Sequence, residues 1–243
     1  MKRLLDGLGM AWGMFLAIPC PLRRWNEEAR EQMLLWLPGV GLIVGGVWVG
    51  LLFLLRNAPD PLRALLMAAA PWLVTGFIHL DGYMDVCDAV LSRRELAVRQ
   101  KILKDSHCGA FAVIGMVLLA LTQWSLFFAA DGACWMGLLC IPAVTRACAA
   151  LAVRMLRPMG TSQYAALKAK NTTVTVLLWT LLALGIGLPL GLAGSFAPLA
   201  AAAGYWLAVW YADRQLGGMS GDVSGFALTL GELTGIAIWT LAR

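Results

Sequence analysis

The sequence is poor in charged side chains and in histidine. Only 14% of its 243 residues are Asp, Glu, Lys or Arg, and it holds two histidines. Soluble domains carry about 25% charged residues, so this composition excludes an ordinary soluble enzyme. Its six cysteines include no C-x-x-C pair, and two histidines are too few to complete a zinc site with them. We therefore expect neither zinc nor disulfides.

Long apolar runs fill most of the chain. A helix needs about 17 to 25 apolar residues to cross a bilayer, and runs of this kind lie at 36–55, 62–80, 109–130, 133–153, 172–193, 196–212 and 224–241. A weaker segment at 4–18 contains Asp6 and precedes two prolines, which favours an interfacial or re-entrant helix. The predicted fold class is all-α: a polytopic membrane bundle of about seven transmembrane helices in one catalytic domain, residues 1–243.

The positive charge of the chain is concentrated on one side. The net charge is +5. With residues 1–35 placed in the cytoplasm, fifteen basic residues fall on the cytoplasmic side and three on the other, which is the positive-inside pattern. The bias explains the charge without a nucleic-acid partner and predicts a multi-pass protein of the bacterial inner membrane. The long loops, 81–108, 154–171 and 213–223, face the cytoplasm in this topology, so we expect the active site there.

Three aspartates follow the second apolar run. Asp81, Asp85 and Asp88 stand at i, i+4 and i+7, which places them on one face if the helix continues. Such a stripe repels itself unless a cation or basic side chains sit among the carboxylates. Magnesium is the natural occupant, because one or two carboxylates and a substrate's phosphates commonly hold it. Gly82 leaves room for a ligand to approach. The alternative is an acidic helix face paired with nearby basic residues.

A second polar cluster precedes the third run. Lys104, Asp105 and Ser106 lie just before Gly109 and an apolar helix. The N-terminus of a helix binds anions, and a lysine adds a point charge suited to phosphate. Asp105 and Ser106 could instead serve only as helix N-caps.

The last long loop is rich in glycine. Gly217, Gly218, Gly221 and Gly225 surround Asp222 before the final apolar run. Glycine-rich turns that lead into helices bring backbone amides close to phosphates. Within that run stands Glu232, where an ionised carboxylate indicates a function or a buried partner.

Two further features concern the interior of the bundle. Arg146, inside the fourth run, is the natural complement of Glu232. Gly41, Gly45, Gly46 and Gly50 lie close together in the first run, a pattern typical of close helix packing within the bundle or across a homodimer.

The motifs together resemble one enzyme family. H-L-D-G-x-x-D-x-x-D-A at 79–89, K-D-S-x-x-G at 104–109, and G-G-x-x-G-D-x-x-G at 217–225 with a later glutamate are similar to cobalamin 5′-phosphate synthases. These enzymes are also called adenosylcobinamide-GDP ribazoletransferases. F-L-x-x-P at 15–19 and P-x-V-G-x-x-x-G at 38–45 extend the resemblance. The chain departs from the family's usual residues at Val86, Cys87, His107 and Cys108, and lacks an arginine near Ala17; no carboxylate is lost.

The resemblance implies a magnesium-dependent transfer in the cobalamin nucleotide loop. Adenosylcobinamide-GDP would react with α-ribazole or its 5′-phosphate and release GMP. Asp81, Asp85 and Asp88 would hold magnesium, and Asp105 or Asp88 would accept the proton of the attacking hydroxyl. The predicted substrate-binding residues are His79, Gly82, Lys104, Ser106, Arg146, Gly217, Gly218, Gly221, Asp222 and Glu232.

Two other functions compete with this interpretation. A CDP-alcohol phosphotransferase also holds metal at the edge of a helical bundle, but its D-G-x-x-A-R signature fails here, since Asp85 and Val86 occupy the last two positions. An ion transporter would place its carboxylates near the bilayer midplane, whereas these cluster at helix ends and in loops.

Overall fold

The chain folds as a bundle of α-helices. A computed structural model describes residues 2–20, 22, 25–130, 135–160 and 192–241, and within these ranges there are no β-strands, only an isolated bridge between Pro158 and Met219. The α-helices are α1 (Lys2–Phe15), α2 (Arg30–Leu54), α3 (Asp60–Val74), α4 (Ile78–Leu91), α5 (Leu96–Ile102), α6 (Ala110–Ala129), α7 (Trp135–Met155), α8 (Leu192–Leu216) and α9 (Gly221–Leu241). The all-α membrane bundle predicted from the sequence is confirmed.

Four helices in the described ranges are long and apolar enough to cross a membrane. These are α2, α6, α7 and α9, and they correspond to predicted runs 36–55, 109–130, 133–153 and 224–241. The run 196–212 forms most of α8, but this helix is not among the candidate spans. Most of the run 172–193 lies outside the described residues. Segment 4–18 forms α1, whose 14 residues are too few for a span.

The second predicted span is not one straight helix. The run 62–80 was expected to continue through the aspartates, but the helix stops after Val74 and α4 leaves at 93° to α3. The break contains Gly76 and Phe77, both with positive φ, 59° and 64°. Two successive left-handed residues end a right-handed helix and redirect the chain. The three aspartates therefore lie on a separate helix, α4.

Small residues allow α2 to pack closely against α7. A Cβ atom on Gly41 would lie 2.3 Å from the carbonyl oxygen of Pro142, and one on Gly45 would lie equally close to that of Leu139. Both glycines therefore allow close packing of helices within the bundle, which is one of the two roles predicted for them. Gly46 has open space at its Cβ position among the described residues.

Hydrogen bonds connect the N-terminal segment to α2 and to the end of α3. The indole N–H of Trp36 in α2 donates to the carbonyl oxygen of Leu4 in α1. Just after α1, the backbone N–H of Ala17 donates to the carbonyl oxygen of Val74, the last residue of α3, at 2.8 Å. These bonds place the end of α1 beside the start of α4.

Hydrogen bonds to backbone carbonyl groups also hold the polar loops together. Gln100 in α5 donates from its side chain to the carbonyl oxygen of Leu216 at 2.7 Å, and Arg99 donates to that of Gln215 at 3.0 Å. These bonds satisfy carbonyl groups that the end of α8 leaves unpaired. The segment after α7 pairs with the segment before α9, where Met159 and Met219 share a backbone hydrogen bond of 2.9 Å.

Candidate active site

A cavity lies where α4, α7 and α9 meet the end of α1. Its volume is about 180 Å³. One wall is apolar and comes from α1 and α2, including Phe15 and Leu34; the other carries polar groups of α4, α7 and α9. The polar lining residues are His79, Asp81, Arg146, Asp222 and Ser224. Pockets that enclose a drug-sized ligand measure about 300 Å³ or more, so this cavity accommodates part of a large substrate.

Two glycines bring α4 and α9 into close contact. A Cβ atom on Gly82 would lie 2.9 Å from Cα of Asp222, and one on Gly225 would lie 2.9 Å from the carbonyl oxygen of His79. Any larger residue at either position would push the two helices apart. From the sequence alone, Gly82 is predicted to leave room for a ligand and Gly225 to belong to a phosphate-binding loop. The structure shows that each lets the opposite backbone approach.

This contact gathers carboxylates from two helices. Asp81 and Asp222 both line the cavity, and Asp85, one turn further along α4, is within electrostatic reach of both and of Asp88. Asp81 is exposed, whereas Asp85 and Asp222 are half-buried. The predicted acidic face on α4 is therefore present. Asp222, in the first turn of α9, adds a fourth carboxylate beside it.

Asp88 also has a different contact. Its carboxylate lies over Gly109, where an added Cβ would come 2.0 Å from Oδ2, and its Oδ1 accepts a 3.4 Å hydrogen bond from the backbone N–H of Ala112. Ala112 is in the first turn of α6, so Asp88 supplies the acceptor that an N-cap residue normally provides. This carboxylate fixes the start of α6 against α4.

The arrangement fits magnesium only if a substrate completes the coordination. Within the described ranges, no group of three or more His, Cys, Asp or Glu side chains is close enough to hold a metal ion. Magnesium, however, commonly binds to one or two carboxylates together with waters and phosphate oxygens. Asp81, Asp85 and Asp222 supply such carboxylates, and their mutual repulsion would be relieved by a divalent cation.

The cluster at 104–106 lies outside the cavity lining. Lys104, Asp105 and Ser106 are exposed. Oδ1 of Asp105 lies 2.6 Å from Nδ1 of His107 and accepts the backbone N–H of His107 at 3.0 Å. These hydrogen bonds hold the pKa of Asp105 below its usual value, which weakens it as a base.

Neither Asp105 nor Ser106 caps α6. That helix has Gly109 at its N-cap position and no side-chain capping bond from it. The alternative of simple N-caps is therefore wrong, since the capping acceptor comes from Asp88 on α4.

The glycine-rich loop divides into two parts. Gly217 has a φ of 77°, and a Cβ on Gly218 would lie 2.8 Å from the backbone of Met159, so both glycines shape the loop and neither lines the cavity. Gly221 does line it, at the first turn of α9. This turn presents the positive end of the helix dipole to the cavity.

Ser220 is a site residue that the sequence analysis missed. Its hydroxyl accepts the backbone N–H of Val223 at 3.2 Å and donates to Oδ2 of Asp222 at 3.3 Å. It therefore caps α9 and orients the carboxylate of Asp222. A serine directly before an apolar helix is a recognisable N-cap signal, so the sequence could have indicated it.

Arg146 and Glu232 form a buried ion pair, as predicted. Nη1 of Arg146 donates to Oε1 of Glu232 at 2.6 Å, and also to the carbonyl oxygen of Pro142 at 3.2 Å. The two side chains are 2% and 7% exposed. Arg146 lines the cavity, whereas Glu232 is not one of its lining residues.

His79 stands beside this pair. Its ring stacks on Phe15 at the end of α1, with ring centroids 5.9 Å apart, and its carbonyl oxygen accepts the hydroxyl of Thr229 at 3.4 Å. The end of α1 thus holds the histidine ring in place, a role that the F-L-x-x-P motif alone did not reveal.

Comparison with known proteins identifies the family of the chain. The family model described as cobalamin-5-phosphate synthase matches residues 7–240. Proteins named adenosylcobinamide-GDP ribazoletransferase from Clostridium perfringens strain 13 and Clostridium botulinum strain Alaska E43 are each 34% identical, over 98% and 97% of both chains respectively. One from Geotalea daltonii is 36% identical over 90% of this chain and 91% of its own. No solved structure matches the chain.

Proposed function

Because the chain belongs to the cobalamin-5-phosphate synthase family and is a transferase of the adenosylcobinamide-GDP ribazoletransferase type, we propose that its substrates are adenosylcobinamide-GDP and α-ribazole or α-ribazole 5′-phosphate. A ribose hydroxyl of the acceptor attacks the phosphorus on the cobinamide side of the diphosphate. A new P–O bond forms, the bond to the GMP oxygen breaks, and the hydroxyl proton is lost. The products are adenosylcobalamin or its 5′-phosphate, and GMP.

The single observation that supports this proposal is the shared cavity of α4 and α9. Carboxylates from both helices meet there beside the N-terminal turn of α9. A diphosphate needs compensation for its negative charge, and a helix N-terminus together with a carboxylate-bound cation supplies it. The modest volume suits the diphosphate and its immediate neighbours, with the corrin part of the donor outside.

We propose magnesium as the cation; one or two of the carboxylates of Asp81, Asp85 and Asp222 would hold it, and the substrate's diphosphate would supply further oxygen ligands. When bound, it neutralises charge that develops on the leaving GMP. Ser220 orients one of these carboxylates, and Asp88 keeps α4 and α6 in register. Asp105, the base predicted from the sequence, does not line the cavity, and we propose that it does not act as the base.

The decisive assay measures GMP release by the purified full-length chain from adenosylcobinamide-GDP, α-ribazole and magnesium. Asp81→Asn and Asp222→Asn should each lower turnover by roughly 100-fold or more, because a metal contributes several kcal/mol to such reactions. Asp60→Asn, which removes a carboxylate from a partly exposed ion pair with Arg63, is the matched control and should retain activity. Failure of the folded wild-type protein to release GMP would refute the proposed reaction.

Magnesium itself is tested by removing it. After treatment with a chelator the enzyme should be inactive, and added magnesium should restore GMP release. Full activity in chelator would contradict the metal assignment while leaving the reaction intact.

We also propose that the cavity faces the cytoplasm in a bacterial inner membrane. The fifteen-to-three distribution of basic residues supports this orientation, and soluble nucleotides reach the site from that side. A reporter fused after Arg214 should show cytoplasmic activity, and one fused at Asp131 should not. A periplasmic signal after Arg214 would reverse the proposed orientation.

A further inference from the structure

Two buried nitrogen atoms around the cavity have no hydrogen-bond partner in the described part of the chain. They are Nδ1 of His79 and Nε of Arg146. Both residues line the same cavity, and Arg146 is only 2% exposed. Buried polar atoms in folded proteins nearly always have a partner, so two unpaired ones at one cavity are groups that a bound polar ligand would satisfy.

The contacts already present explain why these two atoms remain unpaired. Nη1 of Arg146 is occupied by Glu232 and by the carbonyl oxygen of Pro142, which fixes the plane of the guanidinium. The ring of His79 is fixed by its stack on Phe15. Each nitrogen is thus held in place without being satisfied, and this is the arrangement expected of a preorganised binding group.

The charges around these atoms select a neutral ligand group. The positive charge of Arg146 is compensated by Glu232 at 2.6 Å, and the carboxylates of Asp81 and Asp222 line the same cavity. The Arg146–Glu232 pair therefore has no net positive charge with which to attract a phosphate. A hydroxyl group carries no charge, can accept the Nε–H of Arg146 and can donate to Nδ1 of His79.

We propose that Nε of Arg146 and Nδ1 of His79 form a hydroxyl-binding subsite that holds a ribose hydroxyl of a substrate. This inference rests on the proposed function, in which both substrates contain ribose. His79 and Arg146 line the same cavity as Asp81, which is exposed. The subsite positions a sugar beside the diphosphate, and residues His79 and Arg146 are binding residues.

Kinetics of the full-length protein with matched variants test the subsite. His79→Phe keeps a ring to stack on Phe15 but removes Nδ1, whereas His79→Asn carries an amide close to the position of Nδ1. His79→Phe should raise KM for the substrate whose ribose is bound by about 10-fold, the usual effect of one lost hydrogen bond to a buried group. His79→Asn should recover part of that loss, and thermal unfolding should confirm that both variants are folded.

Arg146→Lys tests the other nitrogen. The lysine retains a positive charge for Glu232 but has no second donor at the position of Nε, so KM for the same substrate should rise by a similar factor. An increase in KM for α-ribazole identifies the acceptor's ribose, and an increase in KM for adenosylcobinamide-GDP identifies the ribose of the guanosine; either supports the subsite. Unchanged KM values for both substrates in all variants would overturn it.

Deoxy analogues of the substrate connect the effect to a hydroxyl. If α-ribazole is the ligand, 2′-deoxy and 3′-deoxy forms are measured as competitive inhibitors; if the donor is the ligand, the corresponding deoxyguanosine forms are used. The analogue that lacks the bound hydroxyl should bind the wild-type protein about 10-fold more weakly than its parent compound does, and it should bind His79→Phe as well as it binds the wild-type protein. If His79→Phe binds every analogue more weakly than the wild-type protein does, and by the same factor, hydroxyl binding is refuted. Absence of wild-type GMP release would instead refute the proposed reaction.

Discussion

The buried ion pair between Arg146 and Glu232 predicts a large loss of stability when one partner is removed. In Glu232→Gln, the guanidinium stays 98% buried but loses the charge that compensates it. Breaking a buried pair by removing one partner costs about 3 to 5 kcal/mol, because the remaining charge is left in a medium of low dielectric constant. For a chain of this size, about 2 to 4 °C of Tm per kcal/mol gives a Tm lower by roughly 6 to 20 °C.

The chain offers a matched control for this measurement. Arg63 and Asp60 form an ion pair of similar length, 2.8 Å, but their side chains are 25% and 63% exposed. Exposed pairs contribute about 0 to 1 kcal/mol, so Asp60→Asn should lower Tm by no more than about 4 °C. Thermal unfolding of both variants in the same detergent provides the comparison. Equal Tm values for Glu232→Gln and Asp60→Asn would refute the reasoning.

A double substitution separates stability from function. Arg146→Met combined with Glu232→Leu removes both charges and keeps an apolar filling, which is often neutral for stability. We expect Tm to recover most of the loss seen in Glu232→Gln. GMP release should remain impaired, because the double variant lacks the Nε donor.

Substitutions at Gly82, Asp88 and Asp105 test the geometry of the site. Gly82→Ala places a methyl group 2.9 Å from Cα of Asp222; we expect a loss of about 1 to 3 kcal/mol in unfolding free energy together with reduced GMP release. Gly46→Ala, at a position with open space inside α2, should lower neither. Asp88→Ala should cost about 1 kcal/mol as a lost helix cap, and Asp88→Asn much less, as measured by thermal unfolding. Asp105→Asn should keep kcat within about threefold of wild type; a loss of about 100-fold or more would identify Asp105 as the base.

The helical class and the acidic face of α4 could be predicted from the sequence because both depend on local patterns. Apolar runs of membrane length indicate spans whatever their neighbours, and aspartates at i, i+4 and i+7 share a face in any α-helix. Arg146 and Glu232 were paired correctly because a charge within an apolar run requires a partner.

The remaining features depend on contacts between distant segments. The meeting of Gly82 with Asp222 joins positions 140 residues apart, and no local pattern reveals it. Asp88 shares a face of α4 with Asp81 and Asp85, and its contact with Ala112 depends on where α6 packs, which no local pattern reveals. The bend at Phe77 was missed because a non-glycine residue with positive φ is uncommon and carries no clear sequence signal.

The bend between α3 and α4 has a consequence for the bilayer itself. With 15 residues at 1.5 Å each, α3 is about 22 Å long, roughly 8 Å less than a hydrocarbon core of about 30 Å. If α3 is set along the membrane normal, it ends below the lipid headgroups, and α4 would turn aside at that depth. Lipid next to a short segment thins to match it. The carboxylates would then border a depression in the membrane surface that water and nucleotides can enter.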